Sequence, residues 1–91
     1  MLFAVVAHDK PGALEIRKAN RASHLEYIKS SGVVRQAGPF LNKDGEMCGS
    51  LLILEVDTLE DAENWAEKDP YALAGLFESV SVQSWNRVIS T

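Results

Sequence analysis

Gly49-Ser50-Leu51-Leu52-Ile53-Leu54-Glu55-Val56 is the stretch on which the fold turns. It has strand length and is apolar at nearly every position, so both faces of the strand need cover. Leu2–Ala7 reads the same way, and His8-Asp9-Lys10-Pro11-Gly12 stops it. Two such runs belong in the middle of a sheet. Val80-Ser81-Val82-Gln83 alternates instead, inside a last strand predicted over Ser79–Ile89. A further strand over Val33–Ala37 is closed by Gly38-Pro39, and proline cannot donate to a central ladder. These two strands suit the edges.

Helical stretches lie between the strands. The first runs from about Ala13 to Ser30 and ends at Gly32; a break near Asn20 would divide it in two. Asn42-Lys43-Asp44-Gly45 has hairpin-turn chemistry. Thr58 caps a helix running to about Glu67, with Glu60 and Asp61 in its first turn. Asp69-Pro70 starts a short helix, capped by the aspartate and ended by Gly75.

The order β-α-β-β-α-β predicts an α+β, ferredoxin-like domain spanning residues 1–91, with a four-stranded antiparallel sheet. Two helices cover only one face of such a sheet. The apolar residues of the other face need a partner, and a second copy of the chain is the simplest one. A monomer whose second face is covered by loops is the alternative.

The chain has 91 residues, enough for one small core that gains from burial in an oligomer. The formal net charge of −4, with acids and bases mixed along the chain, argues against nucleic-acid and anionic membrane partners. No apolar run is long enough to span a bilayer. The start lacks a basic, signal-like region, and Cys48 is a lone cysteine suited to a reducing compartment; a cytoplasmic protein is expected.

On a helical wheel Leu14, Leu25 and Ile28 define an apolar face of the first helix, and Arg17, Arg21 and His24 fall on or beside it. Buried cations are costly unless paired or facing a wet cleft. The arginines either snorkel to the surface beside a structural histidine, or the three side chains line a site. Asp69 has a capping role of its own and could also accept a hydrogen bond from His24, which would orient the imidazole as a general base. His8 ends the first strand as a loop residue or at a cleft mouth. Phe40 and Tyr71 could form an aromatic wall or simply pack; Trp65 and Trp85 suit a core or an interface. No Gly-rich phosphate loop, zinc-ligand spacing or nucleophile-elbow serine is present, so an enzyme here would work without a cofactor or metal.

Several blocks resemble the YCII-related family. They are Asp9-Lys10-Pro11-Gly12, Arg17 with Arg21-Ala22-Ser23-His24-Leu25, Ala37-Gly38-Pro39-Phe40, Gly49-Ser50-Leu51, Asp69-Pro70-Tyr71 and Ala74-Gly75-Leu76-Phe77. The match spans nearly the whole chain, and Ser23 replaces an alanine common before the histidine. The resemblance implies a dimeric α/β barrel with a His–Asp pair at the active site, here His24 and Asp69. It also implies cofactor-independent chemistry on small, often cyclic molecules, such as isomerisation or elimination. On that reading Arg17, Arg21, Phe40 and Tyr71 hold an anionic or cyclic ligand. A non-catalytic dimeric protein that binds a small metabolite in the same cleft is the competing expectation.

Overall fold

Seven elements follow one another in the computed structural model, which describes residues 1–91. They are β1 (Leu2–Asp9), α1 (Leu14–Ser31), β2 (Val34–Leu41), β3 (Met47–Glu55), α2 (Leu59–Glu67), α3 (Pro70–Leu73) and β4 (Phe77–Trp85). The strands form one antiparallel sheet in the order β2-β3-β1-β4. The two apolar runs are the central strands and the proline-bearing and alternating strands are the edges, an α+β ferredoxin-like arrangement.

Side-chain alternation gives the sheet two unlike faces. Phe3, Val5, Leu52 and Leu54 point to one side and pack under Ala62, Trp65 and Ala66 of α2. All seven are buried, and each large side chain among them contributes about 1.5–3 kcal/mol. Truncating Leu54, which has no exposed surface, would cost about 2–5 kcal/mol through lost contacts and the cavity left behind. Leu2, Ala4 and Val6 of β1 point the other way, beside Leu51 and Ile53 of β3. No helix covers that second face.

Local signals explain most boundaries. Thr58 Oγ1 accepts from the Asp61 amide, and Gly32 ends α1 in the left-handed region at φ 70°. Asn42 Oδ1 accepts from the amides of Asp44 and Glu46, closing the β2–β3 turn. Gly49 is required by close approach: a Cβ there would fall on the Ala7 carbonyl of the neighbouring strand.

Three expectations need correction. α1 is one continuous helix through Asn20, whose amide donates to the Ile16 carbonyl at 2.9 Å and leaves the backbone ladder intact. β2 continues through Gly38 and Pro39 to Leu41, because on an edge strand the missing proline donor breaks no ladder. β4 ends at Trp85, where β1 also runs out, since Trp85 pairs with Leu2. Beyond it Val88 and Ile89 are 83% and 81% exposed. No helix is long and apolar enough to cross a membrane.

Candidate functional site

The buried line of α1 is polar. Arg17 and His24 are 2% and 6% exposed, whereas Leu25 is 44% exposed. They lie seven residues apart, about 10.5 Å along the axis. Tyr71 fills the gap between them. Its ring stacks on the His24 imidazole with centroids 3.9 Å apart and planes 16° from parallel. The Arg17 guanidinium sits 4.6 Å from the same ring's centroid.

Tyr71 reaches this position because α3 starts where it does. Asp69 caps the short helix, its Oδ1 accepting from the Tyr71 amide at 2.9 Å. The same oxygen lies 2.7 Å from His24 Nδ1. An ionised carboxylate can only accept, so Nδ1 carries the proton and donates. Nε2 of the neutral ring is then a lone-pair nitrogen. It has no protein partner, is not sealed from solvent, and belongs to a residue lining a cleft of about 160 Å³. Such a ring can take up a proton at Nε2 while Asp69 holds Nδ1.

Arg17 is held from behind. Its Nε donates to Asp9 Oδ2 at 2.8 Å, and Nη2 donates to Asp9 Oδ1 and Ser50 Oγ, both at 2.9 Å. Burial alone would lower the Arg17 pKa, but the hydrogen bonds and charge of Asp9 outweigh it and the net direction is up. The guanidinium is therefore a fixed positive charge under the cleft. Burial also pushes the Tyr71 phenol up from its ordinary value, against the pull of Arg17 and Arg21. The phenol stays protonated at neutral pH, and Tyr71 lines the cleft beside Arg17.

Arg21 is exposed, forms no ion pair, and stands on the cleft wall one turn before His24. Ala37, Gly38 and Pro39 of β2 form the opposite wall. His24, Asp69, Arg17, Arg21 and Tyr71 thus gather at one place. Phe40 does not join them: strand alternation sends it to the open face, where it stacks on His8 at 5.7 Å. Arg17 does not snorkel to the surface: it is a buried bidentate partner of Asp9 that also lines the cleft. Asp9, Ser50 and Met47 carry no sequence signal that marks them for the site. Asp9 read as part of a strand-stopping block, and no spacing rule pairs a strand end with a helix two turns on.

A family model for the YCII-related domain matches residues 1–86. The chain belongs to the YCII-related family. Protein YciI from Escherichia coli O6:H1 is 36% identical over 97 aligned positions, covering 97% of this chain and 99% of that one. An uncharacterized protein of Haemophilus influenzae is 33% identical with the same coverage. Among solved structures, 5-chloro-2-hydroxyhydroquinone dehydrochlorinase (TftG) from Burkholderia phenoliruptrix AC1100, in complex with 2,5-dihydroxybenzoquinone, superposes with a TM-score of 0.85. It is 35% identical, and the match covers 94% of each chain. The YCII-related chain shares with it the ferredoxin-like fold of the dimeric α/β-barrel class.

Proposed function

We propose that this protein is a cofactor-independent enzyme that removes a proton from an acidic carbon of a small cyclic or anionic molecule. The observation that carries the reading is the His24 ring, with Nδ1 on Asp69 and Nε2 free in the cleft. His24 Nε2 takes the proton from a carbon next to a carbonyl group. The C–H electron pair moves to the carbonyl oxygen as an enolate, stabilised by Arg21 and the Tyr71 hydroxyl. Collapse of the enolate either returns a proton at another carbon, an isomerisation, or expels a leaving group such as chloride, an elimination. Neither outcome changes the electron count, so the step asks for no redox partner. The dehydrochlorinase activity of TftG and the single-ring quinone in its complex support this substrate class.

The working form is a cytoplasmic homodimer that buries the open face of each sheet. Leu2, Ala4, Val6 and Leu51 supply its apolar centre.

The reaction is tested by proton exchange in deuterated water and by halide release. Hydroxylated and chlorinated cyclic carbonyl compounds serve as probes. The parent should turn over at least one class, and His24→Gln should lose roughly 10²–10⁴-fold. Equal rates for parent and His24→Gln would overturn the reading in favour of a metabolite-binding protein.

A further inference from the structure

Met47 is the only residue shared by the cleft and a neighbouring hollow of about 400 Å³. Its place there comes from an irregularity in the β2–β3 ladder. Phe40 pairs with Gly49 and Leu41 pairs with Met47, so two steps along β3 match one along β2. Strand alternation from Gly49, which faces the open side beside Phe40, would put Met47 on that side too. The bulge at Cys48 turns it back to the helix side, beside Ser50 and Leu52 of the cleft. The rest of the partition is the Arg17–Asp9 pair, with Arg17 lining the cleft and Asp9 the hollow. That pair is buried and bidentate. Met47 is half-buried, unbranched and held by no hydrogen bond, so it is the part of the wall that substitution can remove.

We infer that Met47 is a specificity-determining residue that limits the cleft to ligands about one six-membered ring in size. The inference rests on the cleft being the ligand site, as proposed above. Size supports the limit: an apolar cavity of about 150 Å³ takes up benzene, and the cleft has about 160 Å³. A second fused ring directed along the sheet toward the hollow meets Met47. Beyond the wall lie Lys10 but also Glu15 and Glu46, so the extension suits a neutral group better than a second anion.

Benzoate and 2-naphthoate are the probes, with calorimetric titration of the full-length protein as the measurement. Parent protein should bind benzoate about tenfold or more tightly than 2-naphthoate, the low end of the discrimination that one methylene produces in a fitted pocket. Met47→Ala should abolish or reverse that preference, and Met47→Leu should keep it. Met47→Phe should weaken benzoate itself, an outcome that tests the wall even if the alanine variant folds poorly. A Met47→Ala protein that folds and keeps the parental preference overturns the assignment, as does a Met47→Phe protein that binds benzoate unchanged. A parent that binds both anions equally also overturns it. A parent that binds neither anion refutes the cleft as an anion site, and the role of Met47 falls with it.

Discussion

The His24 imidazole lies flat against the Tyr71 ring, 3.9 Å between centroids, while Asp69 holds both residues through one carboxylate oxygen. One atom therefore sets the tautomer of the candidate base and the position of the ring that supports it. The arrangement joins a capping task, legible in Asp69-Pro70-Tyr71, to a task in the cleft.

Asp69→Asn should separate these tasks. Asparagine still accepts from the Tyr71 amide, so α3 should persist and stability should fall by no more than about 1 kcal/mol. The anionic acceptor that selects Nδ1–H is gone. Nitrogen chemical shifts of the His24 ring should show Nδ1–H dominant in the parent and a mixed or inverted tautomer in the variant. An unchanged tautomer would mean that Asp69 does not orient the base.

The protein contains two tyrosines, and burial raises the pKa of both, Tyr27 and Tyr71. Ultraviolet absorbance should accordingly show little phenolate at the ordinary tyrosine value of about 10 while the protein stays folded. The sign for stability follows from linkage. A raised pKa means that the folded state keeps protons the unfolded chain has already released. Tyrosine ionisation therefore leaves stability unchanged below about pH 10 and lowers it as pH rises further. Urea unfolding across that range should show the decline, and Tyr71→Phe should reduce its slope. A slope identical in parent and Tyr71→Phe would contradict the raised value.

Arg17→Met should be among the more damaging substitutions in the chain. It leaves Asp9 buried without its cation, a loss of about 3–5 kcal/mol. Removing both charges as Asp9→Asn with Arg17→Met should recover part of that stability, because no uncompensated ion is left inside. Denaturant unfolding of the two single variants and the double variant gives the coupling. Additive losses would mean that the pair does not act as a unit.

Leu2, Ala4, Val6 and Leu51 leave an apolar face on the sheet that no helix of the same chain covers, around an Ile53 that is already buried. Sedimentation at micromolar concentration should give a dimer. Val6→Lys places a charge near the middle of that face and should shift the population to monomer. A single monomeric species in the parent would remove the dimer from the proposal.

The order of the strands was readable because burial on both faces writes itself into a strand as an unbroken apolar run. The caps Thr58 and Asp69 were readable because a cap is a local interaction, closed within three residues. The core-facing line of α1 was legible only in part: the wheel set Arg17 and His24 beside the apolar face, not at its centre. A wheel weighted by hydrophobicity selects Leu25, whereas the line actually buried passes through Arg17 and His24, whose polar atoms find Asp9, Ser50 and Asp69. Those partners sit on β1, β3 and the start of α3, and only the finished fold brings them to the helix. Phe40 illustrates the same limit: its ring could read as an aromatic wall or as packing, and in the fold its neighbours Gly38 and Pro39 line the cleft while the ring itself turns to the other face.

Arg21 carries the final prediction. It stands one turn before His24, lines the cleft, is exposed, and has no carboxylate partner. Asp69, a candidate partner from the sequence, is engaged by His24 and the Tyr71 amide. Arg21 is thus the cleft cation with no internal obligation, whereas Arg17 is committed to Asp9. Arg21→Met keeps much of the apolar stem and removes the charge. An exposed, unpaired side chain holds little of the fold together, so the melting temperature should stay close to that of the parent. Binding of benzoate or a similar small carboxylate should weaken by about tenfold or more, the loss expected for a charge-assisted hydrogen bond worth about 1.5–3 kcal/mol. The contrast with Arg17→Met makes the test selective: one variant should lose stability, the other affinity. If Arg21→Met folds normally and binds small carboxylates as tightly as the parent, Arg21 does not hold the ligand anion. Stabilisation of the enolate would then rest on Tyr71 and the field of Arg17.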